Sequence, residues 1–401
     1  MSLSFDAACA LLFPRTGGAT TWSLGPTQRL LAELGNPQEH FAAVHIGGTN
    51  GKGSVAVLVT EALREAGKRV GLYTSPHLVS IRERMLVDGR PIPGTAFAAW
   101  TDRLRPLLDS SGASFFEATT AIAFADFAAR GVDIAVIEVG LGGRLDATNV
   151  VLPLVSAVTN VGLDHTDYLG PTIEDVAREK AGIAKAGIPF VLGERDVLVA
   201  DLIEADAVAA GARPVRLPPN AEFTGPLALR GPHQRRNAAV AEAVCAALPE
   251  EWRPRAEEVG AAFGRARVPG RYDRRGRWLF DVAHNPDGVR TLLTALAAEP
   301  PPGPLHALVC VLGDKDWPSM LELLQGAVDV LWLTDAPSAP PGRVWDLPAV
   351  ARSLGPGARV QPDFDRALAQ VGDGAGTVLV CGSFHTVGDA MARLPGFAPL
   401  G

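Results

Sequence analysis

The run Val44-His45-Ile46-Gly47-Gly48-Thr49-Asn50-Gly51-Lys52-Gly53-Ser54 limits what this chain can fold into more than any other stretch. It starts apolar, as a buried strand does. It continues into Val55 to Ala66, whose helical pattern stops at Gly67. A strand feeding a helix through a glycine-rich loop aims backbone N–H groups and the positive helix end at one point, and phosphate is the usual occupant. Glycine lets the backbone approach closely, and the Lys52 ammonium can reach outer phosphates. The run departs from the common phosphate-loop pattern in one place, because Gly53 separates Lys52 from the hydroxyl of Ser54. The competing reading is an ordinary glycine-rich turn with a surface lysine. In both readings Lys52 is expected in an exposed loop.

At 401 residues the chain exceeds one ordinary domain. The expected division is residues 1–267, carrying the phosphate loop, and residues 268–401, with Val268-Pro269-Gly270-Arg271 as linker. Charged residues make up 20% and hydrophobic ones 47%, as in a soluble protein with a large core. A formal charge of −7 argues against nucleic acid or an anionic membrane as partner. Basic runs such as Arg271-Tyr272-Asp273-Arg274-Arg275 are short and read as solvated edges. Cys9, Cys245, Cys310 and Cys381 are far apart and fit neither a metal pair nor a disulfide framework, which points to a reducing compartment. The start has no signal-type segment, and no apolar run nears the roughly 20 residues that span a bilayer. The expectation is a cytoplasmic monomer.

Strand and helix alternate along the chain. In the first part, strands are expected at 44–46, 70–73, 133–139 and 154–159, with a hairpin turning at Asp88-Gly89. Helices are expected at 5–12, 27–34, 55–66, 94–108, 117–130, 172–186, 197–210, 237–247 and 255–266. In the second part, strands are expected at 278–282, 305–311, 328–333 and 377–381. Helices there are expected at 286–298, 317–325, 346–354, 363–371 and 384–393. Near-continuous apolar runs such as Asp133 to Val139 are those of parallel strands covered on both faces. The fold class is therefore α/β, with a mostly parallel sheet in a phosphate-loop domain and a smaller C-terminal α/β, Rossmann-like domain.

Ligands of open α/β sheets bind outside the carboxyl ends of the strands. Four expected strand ends carry polar groups: Lys52 with Ser54, Ser75, Glu138, and Asp164 with His165. Pro76 ends regular structure at Ser75, which is expected to be exposed. A carboxylate at the end of an apolar strand wants a cation. A hydroxyl, a carboxylate and an imidazole at adjacent strand ends make a Mg²⁺ shell that waters and phosphates complete. The alternatives are an arginine salt bridge for Glu138 and a hydrogen-bonded loop position for His165.

These residues together resemble the folylpolyglutamate synthase and dihydrofolate synthase family, a branch of the Mur-type ligases. The resemblance rests on Gly48 to Ser54, Tyr73-Thr74-Ser75-Pro76-His77, Phe116-Glu117, the run Glu138 to Asn149, Leu163-Asp164-His165-Thr166, Glu179-Lys180-Ala181-Gly182-Ile183, and Phe280-Asp281-Val282-Ala283-His284-Asn285-Pro286. It implies a ligase that phosphorylates a carboxylate with ATP, then joins the acyl phosphate to the amine of glutamate. A closing second domain would hold the two substrates in line.

The resemblance also implies roles for individual residues. Thr49, Asn50, Gly51, Lys52, Gly53 and Ser54 would hold the triphosphate, and Asn237, Arg271, Asp281 and His284 the rest of ATP. Ser75, Glu138 and His165 would ligate Mg²⁺, with two ions expected. Lys180 would carry a carbamate that serves the metal, although its own helical setting reads as a surface position. Phe116, Glu117, Leu145, Asp146 and Ala147 would line the pterin-side pocket. Lys52, Lys180 and His284 would be catalytic. One departure stands out: in Thr20-Thr21-Trp22-Ser23-Leu24-Gly25, a serine occupies the place where bifunctional members carry an aspartate. Two other readings remain, a Mur-type ligase of peptidoglycan precursors and a non-catalytic nucleotide-binding module.

Overall fold

The apolar runs of the first part pair into one eight-stranded sheet. The computed structural model describes residues 3–17 and 23–400, so Thr20, Thr21 and Trp22 lie outside the described residues. The strands are β1 (Ala42–Gly47), β2 (Val70–Tyr73), β3 (Met85–Val87), β4 (Arg90–Pro91), β5 (Ile134–Glu138), β6 (Val155–Val158), β7 (Pro189–Leu192) and β8 (Arg213–Arg216). Their order is β4-β3-β2-β5-β1-β6-β7-β8. All pairings are parallel except the two made by β3.

The register sets the site. Ile46 of β1 pairs with Glu138 of β5, and Gly47 pairs with Val158 of β6. Three adjacent strands therefore end together, with β1 between the other two. Every residue of β5 is buried, as a strand covered on both faces requires. The hairpin between β3 and β4 turns on Asp88 and Gly89, both at positive φ, the geometry of a two-residue turn that follows strand twist. The helix Phe115–Ala129 buries twelve of its residues and has no polar face, so it runs through the interior. Its capping box brings Phe116 and Glu117 to its first turn: Ser114 Oγ accepts from the Glu117 amide, and Glu117 Oε2 accepts from the Ser114 amide at 2.7 Å.

The second sheet has six strands: β9 (Asp273–Arg275), β10 (Trp278–Phe280), β11 (Leu305–Val309), β12 (Val330–Leu333), β13 (Ala358–Val360) and β14 (Thr377–Cys381). Their order is β13-β12-β11-β14-β10-β9, with only β9 antiparallel. Its two faces support separate cores. Leu279, Ala307 and Leu379 pack with Val289 and Leu292 on one side. Phe280, Leu308, Val378 and Val380 pack with Phe364 and Val387 on the other. This is the period-two alternation of a doubly covered sheet.

Contacts divide the chain into two units. One holds residues 1–76, 82–227 and 235–266, and the other holds 77–81, 228–234 and 267–401. Val268 to Arg271 is not a free linker: it belongs to the second unit, where the Gly270 carbonyl accepts from the Val282 amide at 2.9 Å. β7, β8, β9 and β13 lie outside the strands that the sequence predicts. Among the described residues no helix is long and apolar enough to cross a membrane, and all four cysteines are free.

Loss of the Ser114 cap should cost about 1 kcal/mol. Ser114→Ala is expected to lower the urea midpoint accordingly, and an unchanged midpoint would show that the box adds nothing.

Candidate active site

The loop after β1 is held in shape by the end of β6. Thr159 Oγ1 donates to the Asn50 carbonyl at 2.7 Å, and Asn160 Oδ1 accepts from the Asn50 amide at 2.8 Å. Thr49 is clamped as well: its amide donates to the Asn160 carbonyl at 2.9 Å, and its hydroxyl donates to Gly162 O at 3.1 Å. Two positions admit only glycine. Gly48 has φ +136°, and a β-carbon there would lie 1.9 Å from Thr159 Oγ1. Gly51 has φ +84°, and a β-carbon there would lie 2.5 Å from Asn237 Oδ1. The same approach places Asn237 beside the loop.

The helix Lys52–Glu65 starts directly after Gly51. Lys52 is thus the first helical residue and half-buried, not the exposed loop residue that the sequence suggests. The amides of Lys52, Gly53 and Ser54 lie in the first turn, where N–H groups lack intrahelical acceptors. The Lys52 ammonium folds back and donates to the carbonyls of Gly48 and Thr49, each at 3.1 Å.

Lys180 also reaches that loop. It lies near the end of the helix Ile173–Ala181 and is only 4% exposed, contrary to a surface reading. Its Nζ donates to the Gly48 carbonyl at 2.9 Å. Burial, and then the neighbouring Lys52 charge, bring its pKa down to about 7. Burial thus favours the neutral amine over the ammonium.

Glu138 is buried, and its Oε2 accepts from the Ser75 amide at 3.0 Å. The same oxygen lies 3.6 Å from where a Gly53 β-carbon would sit. The carboxylate therefore faces the positive first turn of the phosphate-loop helix. The buried Arg84 is close enough to interact with Glu138 electrostatically, so an arginine partner is present as well. Ser75 is half-buried rather than exposed, because its amide is tied to Glu138. His165 has a different setting. Its backbone is left-handed, its side chain is 42% exposed, and its amide donates to Asp164 Oδ1 at 2.9 Å. Among the described residues no three His, Cys, Asp or Glu side chains converge to hold a metal ion.

Phe116 and Glu117 stand at the start of the helix Phe115–Ala129, and Leu145, Asp146 and Ala147 follow β5. The Phe116 ring packs on the Gly140 backbone and lies 5.9 Å from the Tyr73 ring. One Glu117 oxygen is occupied by the capping box. Asp146 is buried and accepts from the amides of Leu141 at 2.8 Å and Thr148 at 2.9 Å, and from the Thr148 hydroxyl. Burial pushes its pKa up, and these donors oppose the shift. Leu145 is half-buried beside it, and Ala147 is buried.

The second unit gathers Arg271, Asp281 and His284 at the end of β10. Asp281 accepts from the amides of Tyr272 and Ala283, each at 2.9 Å. Burial raises its pKa, and Arg271 opposes the rise. His284 Nδ1 is 2.9 Å from the Val282 carbonyl. That carbonyl can only accept, so Nδ1 carries a proton. The Phe384 ring contacts both the His284 ring, at 5.6 Å, and the Arg271 guanidinium, at 5.3 Å. Phe384, Thr159 and Asn160 were not singled out from sequence. Thr159 and Asn160 follow an apolar run, but only the sheet order shows that they face the β1 loop.

Lys180 yields a pH prediction. Its folded pKa lies below the value for a free lysine, so the unfolded chain binds more protons between about pH 7 and 10.5. This residue therefore makes stability rise with pH across that window, and its burial penalty is full below it. Lys180→Met should flatten that slope and should not destabilise the protein at pH 6. A parallel pH profile for the two proteins would contradict the assignment.

Residues 46–208 match the Mur ligase middle domain, and residues 264–384 match the Mur ligase, glutamate ligase domain. The chain is 37% identical over 401 aligned positions to a probable bifunctional folylpolyglutamate synthase/dihydropteroate synthase of Haloferax volcanii. The match covers 90% of this chain and 47% of that protein, so the chain spans about half of that relative. It is 35% identical to the folylpolyglutamate synthase of Lacticaseibacillus casei, across 78% of this chain and 80% of that one. The crystal structure of a bifunctional folylpolyglutamate synthase/dihydrofolate synthase from Yersinia pestis, complexed with AMPPNP and Mn ion, superposes with a TM-score of 0.84. Identity is 31%, covering 97% of this chain and 98% of that one. With both Mur ligase domains matched, and with a relative that is 35% identical over most of both chains, the chain belongs to the folylpolyglutamate synthase/dihydrofolate synthase family of Mur-type ligases.

Proposed function

We propose that this chain joins the amine of L-glutamate to a carboxylate of a reduced folate, using ATP and passing through an acyl phosphate. The observation that carries the reading is the meeting of three strand ends: the β1 loop with its amides and Lys52, Glu138 of β5, and the Thr159-Asn160 clamp of β6. Thr49 to Ser54 hold the phosphates of ATP through backbone amides and the Lys52 ammonium. Phosphoryl transfer needs positive charge and positioning more than covalent help, and this loop offers both.

A divalent cation fits the same corner. The Glu138 carboxylate faces the turn that would carry phosphate, and two anions there require a cation between them. Ser75, Glu138 and His165 would hold Mg²⁺, with Lys180 serving a second ion as its carbamate. The bound ions would neutralise charge on the transferring phosphoryl group. The depressed pKa of Lys180 supports the carbamate, because only the neutral amine adds CO₂, releasing a proton and becoming an anion. The resemblance assigns Asn237, Arg271, Asp281 and His284 to ATP as well. Phe116, Glu117, Leu145, Asp146 and Ala147 form the folate side. The enzyme is read as a cytoplasmic monomer with small-molecule partners.

Ser23 weakens the case for dihydropteroate as a second acceptor. Loss of one charge-assisted hydrogen bond costs roughly 1.5–3 kcal/mol, or one to two decades of affinity. With ATP, Mg²⁺ and glutamate, tetrahydrofolate should give product by mass, and dihydropteroate should need a higher concentration. Lys52→Ala should lose turnover but keep its fold by circular dichroism. Turnover of neither acceptor by the unmodified protein would overturn the proposal.

A further inference from the structure

His45 lies in the middle of β1, three residues before Gly48, and is fully buried. No part of the proposed mechanism uses it. Its Nε2 is 2.8 Å from Thr148 Oγ1, and that hydroxyl in turn hydrogen-bonds Asp146 Oδ1. The direction of each bond follows from counting protons. A threonine hydroxyl has one proton. The Thr148 hydroxyl gives that proton to Asp146 Oδ1, the same oxygen that takes the Thr148 amide. The hydroxyl oxygen must then accept from His45, which fixes the ring as the Nε2–H tautomer. Nδ1 is left with a lone pair, and that atom is buried without a hydrogen-bond partner. A second proton on the ring would be buried with no acceptor. Burial, with the Lys185 charge opposing protonation as well, pushes the His45 pKa down to about 3. The chain His45 to Thr148 to Asp146 therefore has one polarity.

Asp146 also accepts from its own loop. It takes the amides of Leu141 and Thr148, at either end of the turn between β5 and β6. Burial works against the charge of Asp146, and its donors work for it. Thr148 supplies two of them, its amide and its hydroxyl.

We propose that His45 and Thr148 are positioning residues for the folate side of the site: their hydrogen-bond chain, rooted in the phosphate-loop strand, holds the Asp146 carboxylate and through it the Leu141 to Thr148 turn. The functional half of this inference rests on the reading of Asp146 as part of the folate pocket. The chain also explains why a histidine occupies the centre of an otherwise apolar strand. Neither residue touches the phosphate loop's amides or Lys52 through any bond described above, so the effect of removing the hydroxyl falls on the folate and not on ATP.

The test uses the full-length protein with Thr148→Val, which keeps the side-chain shape, and Thr148→Ser, which keeps the hydroxyl. Thr148→Val should raise KM for the folate at least tenfold while KM for ATP stays within about twofold, and Thr148→Ser should restore the unmodified value. Nitrogen-15 spectra of labelled histidine should show His45 as the Nε2–H tautomer from pH 8 to pH 5. Amide exchange at Leu141 should quicken in Thr148→Val. Equal rises in both KM values, or a loss of thermal stability with both KM values unchanged, would overturn the positioning role. An Nδ1–H tautomer, or unchanged exchange at Leu141, would overturn the chain itself. An unmodified protein that accepts no folate would overturn the functional reading of the site. The His45 tautomer and the Leu141 exchange would then decide the chain on their own.

Discussion

The Gly48 carbonyl accepts hydrogen bonds from two ammonium groups, Lys52 Nζ at 3.1 Å and Lys180 Nζ at 2.9 Å, and much of the first unit is arranged so that this can happen. Burial first, and then the charge of Lys52, lower the pKa of Lys180 to about 7. The shared oxygen is available only because Gly48 adopts a backbone geometry closed to other residues, against Thr159. The lysines arrive from different directions. Lys52 opens the helix that the loop feeds, and Lys180 comes from the helix Ile173–Ala181, against which Gly142 and Gly143 pack closely.

Sheet order turns these local facts into a site. Because β1 lies between β5 and β6 in register, the carboxylate of Glu138, the loop after Gly47 and the Thr159-Asn160 clamp end at one level. A strand-end carboxylate beside a helix N-terminus is stable there, yet it would oppose a phosphate in the same place. The pairing of Glu138 with a phosphate loop is therefore itself an argument for a cation. The second sheet repeats the parallel design, and its polar groups again stand after a strand, where Phe384 packs against Arg271 and His284.

The parts legible in the sequence were those with a strong local signal. β5 is an unbroken apolar run, β2 ends where Pro76 follows, and the helices Gly94–Leu108, Pro286–Ala298 and Trp317–Gln325 lie where periodicity predicts. The missed strands had weak signals. β8 contains a proline and two arginines, β9 is Asp-Arg-Arg, and β13 is three residues long. All three are edge strands, where charge and proline are tolerated and apolar patterning is lost. β7 is interior, but its four residues are too short to stand out. Among candidate site residues, Lys52 stands in a plain glycine-rich run, but its place at the start of the helix and its fold back onto Gly48 carry no sequence signal. The burial of Lys180 was not legible either, because its helix reads as amphipathic and its cover comes from a glycine loop distant in sequence. The Glu117 capping box was also overlooked, although Ser114 three residues earlier is its ordinary signal.

The central claim is that a shared carbonyl and deep burial leave Lys180 poised between charged and neutral at physiological pH, close to the phosphate loop. Its most direct test is the titration of the Lys180 Cε resonance in protein labelled with carbon-13 lysine, identified by its loss in Lys180→Met and followed from pH 5 to 11 with CO₂ excluded. The account predicts a transition centred near pH 7. A transition near 10.5, the ordinary lysine value, would contradict it.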